Sequence, residues 1–205
     1  MKVLAYALSV FFLDTLLFAA SPDPNFGRIP LSFEENRGQF QNDVSFVSRG
    51  AGYLFRFKPQ QFELDFQTNS GSDRIITTLV DSSPVASIIA AEPAGRVNYL
   101  IGSDSRKWIT NVPTYRRICY PSVYQGIDLL YHGNERNLEY TFVVRPHSDP
   151  NQIVRRLDGV QTATVLRSGS LKLQLARQYH LETTACLSTS GQQTRTDRGT
   201  LRAYQ

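Results

Sequence analysis

The clearest alternation of apolar and polar positions lies between Val112 and Pro146. Within Leu138–Val144 every second residue is apolar, while Glu139 and Thr141 between them are polar. Because successive side chains of a strand point to opposite faces, this pattern is typical of a strand with one face on a core. The stretch predicts three strands, Tyr115–Tyr120, Ile127–His132 and Leu138–Val144, with a corner at Pro121–Gly126 and a turn at Gly133–Asn137.

Short segments of the same kind recur along the chain, separated by turn residues at roughly eight- to twelve-residue spacing. Glu92–Gly95 is predicted to be a turn, and Asp149 to cap a short helical turn from Pro150 through Gln152. The predicted fold is all-β, an antiparallel β-sandwich-like domain. Its further strands are Val44–Ser48, Tyr53–Lys58, Phe62–Phe66, Arg74–Val80, Val85–Ala90, Val97–Ile101, Ile153–Leu157, Ala163–Leu166 and Leu171–Leu175.

The N-terminus has the pattern of a secretory signal. Lys2 precedes a mostly apolar run, Val3–Leu17, and small residues follow at Ala19 and Ala20. A single-pass anchor is the rival interpretation, but the run is short and Asp14 interrupts it. We expect a signal-peptide helix over residues 1–20, a proline-rich linker over 21–30, and export to the periplasm, cell surface or medium without a stable membrane span.

The alternation ends at about Leu175. Residues 176–205 contain nine apolar residues in thirty, against 41% for the whole chain. The sequence therefore predicts one domain over residues 31–175 and an irregular, poorly ordered tail over 176–205. A truncated or frameshifted gene, whose tail is not native domain sequence, is the hypothesis that follows.

Composition and charge are those of an ordinary globular protein. The net charge is +4, but eight of the 22 basic residues lie from Val154 onward with only three acidic ones. Nucleic-acid binding usually shows as a basic stripe with interleaved aromatic residues or as a known module. Neither is present, so we expect no nucleic-acid partner.

Cys119 and Cys186 are the only cysteines. Their wide separation lacks the paired spacing of a structural zinc site. A disulfide is possible in an oxidising compartment, but a buried Cys119 and an unpaired Cys186 are the favoured interpretation.

Few residues offer catalytic chemistry. Neither a G-x-S-x-G elbow nor a phosphate-binding loop occurs. Glu34 and Glu35 are adjacent, so on an extended chain they point to opposite sides and cannot flank one glycosidic bond. A polar turn, with Arg37 paired to a carboxylate and Gly38 at positive φ, is favoured there.

The best metal-site candidate combines Asp128 and His132, four positions apart on a strand, with His147 after the hairpin; separate surface residues are the favoured interpretation. A glycan hydrolase would need two convergent carboxylates, from Glu34, Glu35, Asp128 and Glu139. Trp108 is either a ligand platform or a half-buried lid over a sheet edge. No catalytic, cofactor or metal residue is assigned.

Three segments resemble one family: LSFEENRGQF, VNYLIGSDSRKWITNVPTY and YQGIDLLYHGNERNLEYTFVVRPHSDPNQI. The family is the N-terminal domain of unknown function in bacterial exported proteins with SBBP-type β-propeller repeats, and the resemblance covers about Ile29 to Leu175. Its most specific parts are Glu34-Asn36-Arg37-Gly38, Val97-Asn98-Tyr99, Trp108 with Asn111-Val112-Pro113, and Gly126-Ile127-Asp128 through Tyr140 and Phe142.

The resemblance implies a non-catalytic exported β module. It would serve as an accessory, attachment or interaction domain ahead of propeller repeats, with a protein or glycan partner and no cofactor. A glycan-binding or glycan-hydrolysing domain and a non-functional fragment of a larger surface protein remain the alternatives.

Overall fold

A computed structural model describes residues 31–50, 52–68, 71–84, 87–134, 137–167, 170–175, 180–190 and 194–204. Over these residues the protein is all-β with antiparallel pairing throughout, which confirms the predicted fold class. No helix among them is long and apolar enough to cross a membrane. The predicted signal helix and linker lie outside the described residues.

Fourteen strands are described. In chain order they are β1 Phe33–Glu35, β2 Phe46–Gly50, β3 Tyr53–Phe57, β4 Gln61–Thr68, β5 Gly71–Val80, β6 Ile89–Tyr99, β7 Ile109–Tyr124, β8 Ile127–Asn134, β9 Asn137–Val144, β10 Val154–Asp158, β11 Thr162–Val165, β12 Ser170–Gln174, β13 His180–Ser190 and β14 Thr194–Tyr204. Two short 3-10 turns, Ser105–Lys107 and Pro150–Gln152, interrupt them. The second turn confirms the cap prediction, since the Asp149 carboxylate accepts from the Asn151 amide at 2.9 Å.

The long strand β7 joins two arms of one curled sheet. One edge of β7 pairs with β6, and the other edge pairs with β1 and then with β8. From β1 the first arm continues through β2, β3, β4 and β5 to β10. From β8 the second arm continues through β9, β14, β13 and β12 to β11.

The core lies where the inner faces of the two arms meet. The Tyr131 ring of β8 contacts Phe57 and Phe62 of the first arm, with ring centroids 5.0 and 5.6 Å apart. The Tyr120 hydroxyl donates to the Lys58 carbonyl at 2.9 Å. The predicted inward face of β9 is confirmed, because Leu138, Tyr140, Phe142 and Val144 are all buried.

The outer face of the first arm carries a ladder of alternating charges. Across β3, β4 and β5 the Asp65 carboxylate accepts from Arg56 and, at 2.6 Å, from Arg74. Lys58 continues the ladder to Glu63 and, at 2.9 Å, to Asp43. Cross-strand pairs of opposite charge stabilise a sheet modestly while keeping its outer face soluble.

The prediction of a turn at Glu92–Gly95 is wrong. These residues lie inside β6, where the register shifts between Pro93 and Gly95 and Glu92 adopts φ of 59°. A bulge on an edge strand accommodates a proline that cannot donate a ladder hydrogen bond. The turn-forming residues therefore kink this strand without ending it.

The predicted corner at Pro121–Gly126 is also mostly strand. β7 continues to Tyr124, with a register shift against β8 between Tyr120 and Tyr124. Only Gln125 and Gly126 form the turn, and Gly126 has φ of 70°.

The tail differs from its prediction as an irregular segment. The backbone of β13 pairs with β12 and β14, and β14 pairs with β9 from Leu138 to Val143. Backbone ladders do not require alternating side chains, and threonine favours extended structure. These two strands therefore lack apolar alternation, and the sequence pattern did not predict them.

Candidate interaction surface at the β6–β7 hairpin

Three of the specific sequence motifs meet at one end of the molecule. Glu34 and Asn36 come from β1 and the loop after it, Tyr99 ends β6, and Asn111 lies near the start of β7. Tyr99 and Asn111 belong to the hairpin of β6 and β7, in which Tyr99 pairs with Ile109. The motifs are therefore distant in sequence but build one structure.

Asn36 organises the loop that follows β1. Its side-chain amide donates to the carbonyls of Gln41 and Val44, each at 2.8 Å. Its side-chain oxygen accepts from the amides of Gly38 and Phe40, each at 3.1 Å. With φ of 104°, Gly38 takes a conformation that favours glycine, as predicted. One asparagine thus replaces the regular pairing that the loop lacks.

A polar cluster fastens this loop to the hairpin. The Glu34 side chain is 7% exposed, and it accepts from Arg49 Nε at 3.0 Å. The Tyr99 hydroxyl donates to the same carboxylate and accepts from Arg49. The Arg49 guanidinium also lies over the rings of Phe40 and Tyr99, 5.8 and 5.2 Å from their centroids.

Burial raises the pKa of the Tyr99 phenol well above its usual value, and the adjacent Glu34 carboxylate raises it further. The phenol therefore stays protonated and remains a hydrogen-bond donor at physiological pH. The carboxylate of Glu34 is enclosed by its partners, which leaves this cluster suited to holding structure.

Glu35 is separated from Glu34, as the extended-chain argument predicted. Its carboxylate is partly exposed and pairs with Arg37 at 3.3 Å, which confirms the predicted pairing of that arginine. The two glutamates do not face a common space.

The carboxylates of the β8–β9 hairpin do not converge either. Asp128 pairs with Arg145 at 3.1 Å, whereas Glu139 pairs with His132 at 3.0 Å. Asp128 lies opposite Val143 and His132 lies opposite Glu139, so the two acidic positions are about 13 Å apart along the strands. Glycosidases hold their carboxylates roughly 5 to 10 Å apart.

Within the described ranges, no group of three or more His, Cys, Asp or Glu could hold a metal ion. His147 lies exposed in the turn after β9. Cys119 carries a free, half-buried thiol, whose pKa is raised by burial and then by Asp128. The side chain of Cys186 lies outside the described residues, so its pairing stays a prediction.

The tip of the β6–β7 hairpin exposes three large apolar side chains. Leu100 is 56% exposed, Ile101 75% and Trp108 38%. The Trp108 indole donates to the Gly102 carbonyl at 3.1 Å, which holds its ring against the turn. Arg106 and Lys107 are exposed in the same turn.

Sequence reasoning missed two parts of this end of the molecule. It extended the strand from Val97 to Ile101, but the strand ends at Tyr99 and Ile101 is exposed. It also ended the strand Val44–Ser48 before Arg49, whereas β2 continues to Gly50. A buried glutamate beside Arg49 needed a cation, but nothing in the order of residues indicated which one.

A family model matches residues 33–187 of the chain, and its description is "Domain of unknown function (DUF7948)". The match continues twelve residues beyond Leu175, into β13. No curated protein and no solved structure matches the chain. Because the matched region is well over half of the sequence, the chain belongs to the family of the domain of unknown function DUF7948.

Proposed function

We propose that this protein is a non-catalytic, exported β module that attaches to or interacts with a partner through the tip of its β6–β7 hairpin. The tip is defined by Leu100, Ile101 and Trp108. Export is supported by the N-terminal pattern of Lys2 and the apolar run Val3–Leu17. The arrangement ahead of SBBP-type propeller repeats is supported by the resemblance of its sequence motifs.

One observation carries the proposal: a rigidly held hairpin presents apolar side chains to solvent. Most exposed apolar residues on a protein occur singly and need no explanation. Here three lie in one turn, and packing in a core cannot account for Ile101 at 75% exposure. Tyr99, the last paired residue before the tip, is held by its hydrogen bond to Glu34.

The non-catalytic part of the proposal is supported by the acidic residues. Glu34 is enclosed by Arg49 and Tyr99, and Asp128 and Glu139 are each paired with a basic side chain and lie far apart. Asp128 and Glu139 lack the spacing of a general acid and its partner, and the enclosed Glu34 carboxylate is not open to a substrate.

Attachment is tested by fractionating bacteria that express the whole chain with its own N-terminus. We expect the wild-type protein in the envelope fraction and Ile101→Ser released in larger part. Val165→Ser is the matched control, because Val165 is 73% exposed on β11 and away from the hairpin. Equal fractionation of the two variants would overturn the assigned contact surface.

Catalysis is tested separately with the purified chain on cell-wall glycans. We expect no release of reducing ends. Release that Asp128→Asn abolishes would overturn the non-catalytic assignment and favour a glycan hydrolase.

A further inference from the structure

We infer that the hairpin tip binds the surface of an anionic phospholipid bilayer, lying in the headgroup region without spanning it. This inference rests on the proposed function, because it names the partner class for the same contact surface. Three features carry it: the shape of the apolar tip, the charge around it, and the interrupted edge of β6.

The apolar side chains sit beyond the last paired residues of the hairpin. Tyr99 and Ile109 close the ladder, Leu100 and Ile101 follow on one side, and Trp108 precedes on the other. The Trp108 hydrogen bond to Gly102 brings its ring to the same turn. Exposed apolar side chains at the end of a hairpin can enter a lipid interface, where tryptophan is favoured.

Charge complementarity favours a negative partner. Between Ile89 and Arg117 the chain has five basic residues and two acidic ones. The ion pairs found here among the described residues join Arg106 to Asp104 and Arg117 to Glu92. Of the remaining exposed basic side chains, Lys107 lies in the tip turn and Arg96 lies three residues before the end of the ladder. Arg116 lies about 23 Å along β7 from Ile109, away from the tip. With Arg106 and Lys107 against Asp104 alone, the turn itself carries a net positive charge, which favours anionic lipids.

An added peptide strand along β6 is the rival partner, and the edge of β6 disfavours it. Glu92 has positive φ, Pro93 has no N–H to donate, and the register shifts before Gly95. Natural sheets use prolines and bulges of this kind to prevent pairing at an edge. A long docked strand would have to cross this interruption, whereas a bilayer contacts only the tip.

Hydrogen bonds between the strand ends next to the tip fix the position of the tip. The Asn98 side chain accepts from the Asn111 amide at 2.7 Å, and Arg96 donates to the Asn111 carbonyl at 3.2 Å. The Tyr99 hydroxyl is fixed by Glu34. Less ordering is therefore needed when the tip binds, which favours affinity.

Tryptophan fluorescence tests the inference directly, because Trp108 is the only tryptophan in the chain. The full chain is mixed with phosphatidylcholine vesicles that contain or lack phosphatidylglycerol. We expect a blue shift of the emission and quenching by brominated acyl chains only when phosphatidylglycerol is present. The apolar run near the N-terminus adds no signal, so the readout reports on the tip alone.

Two variants and one control sharpen the test. Ile101→Ser should weaken partitioning roughly tenfold by removing buried apolar area. Lys107→Glu should also weaken it roughly tenfold, and this loss should shrink in high salt. Val165→Ser should bind like the wild type. Matching urea midpoints for the three variants and the wild type exclude misfolding as the cause.

The outcomes separate this inference from the proposed function. Emission that stays at its solution wavelength, even when the chain sediments with vesicles, overturns the lipid assignment. If envelope retention still depends on Ile101 in that case, the attachment function stands and its partner is a protein strand or a glycan. If Ile101→Ser changes neither readout, both proposals fail.

Discussion

Replacing Arg49 with methionine should destabilise the protein more than removing the charge of its partner Glu34. Methionine keeps much of the side-chain volume beside Phe40 and Tyr99 but leaves the Glu34 carboxylate without a cation. That carboxylate is 7% exposed, whereas the Arg49 side chain is 48% exposed. The carboxylate therefore depends on the arginine for compensation, while the arginine can still reach water.

The expected magnitudes follow from this asymmetry. Breaking a buried pair costs about 3 to 5 kcal/mol when a buried charge is left uncompensated. The exposed edge of Arg49 and the remaining Tyr99 donor reduce this to about 2 to 3 kcal/mol for Arg49→Met. Glu34→Gln removes the charge and keeps the shape, so we expect about 1 kcal/mol.

Urea unfolding at neutral pH measures these free energies of unfolding. Arg37→Met is the matched control, because its pair with Glu35 lies in the same region with side chains 48% and 34% exposed. An exposed pair of this kind contributes little, so its loss should change stability by less than about 0.5 kcal/mol.

The double variant Glu34→Gln/Arg49→Met gives the decisive comparison. It should be no less stable than Arg49→Met alone, because the second substitution removes the uncompensated charge. Strictly additive losses, or a larger loss for Glu34→Gln than for Arg49→Met, would refute the idea that the carboxylate is the dependent partner.

Three further substitutions test other parts of the structure, and a fourth, at Gly52, is a comparison for the third. Asn36→Ala should cost about 2 kcal/mol in urea unfolding and speed amide exchange in its loop, because four hydrogen bonds within about 3.1 Å are lost. Asp65 is partly buried, which raises its pKa, but its arginine partners hold that pKa below the usual 3.8. Asp65→Asn should thus cost about 1 kcal/mol at neutral pH, a loss that fades as pH falls through the lowered pKa; a loss unchanged at acid pH contradicts this. Gly126→Ala should cost about 2 to 3 kcal/mol, because φ is 70° and the new methyl group meets Ser148. Gly52→Ala should cost about 1 kcal/mol, because Gly52 has φ of 84° but open space around it.

The sequence predicted the strands well where one face of the sheet is buried. In β9 and β4 the apolar residues recur with period two, and the residues assigned to the core are buried. The alternation is a direct record of burial, because each one-residue step reverses the face of the strand. Turn prediction failed at Glu92–Gly95 for a related reason, since glycine and proline also mark bulges within strands.

The candidate surface was less predictable because it depends on long-range contacts. Arg49 was unremarkable in sequence, yet it compensates the charge of a glutamate fifteen residues earlier and donates a hydrogen bond to a tyrosine fifty residues later. Ile101 continued an apolar alternation that ended, in the structure, two residues before it. Period-two patterns indicate which residues share a face, but they do not indicate where the partner strand stops.

The polar cluster gives a structural role to the motif residues beside the tip of the hairpin, whereas the motif residue Trp108 belongs to the tip itself. A buried carboxylate with an arginine and a tyrosine gives little net stability compared with an apolar cluster of similar size. Its geometry, however, fixes the angle and register of the elements it joins. Glu34 and Asn36 hold one side, Tyr99 and Asn111 hold the other, and the apolar tip extends beyond them. These four motif residues thus hold the tip in position, and the proposed binding surface is the loop from Leu100 to Trp108.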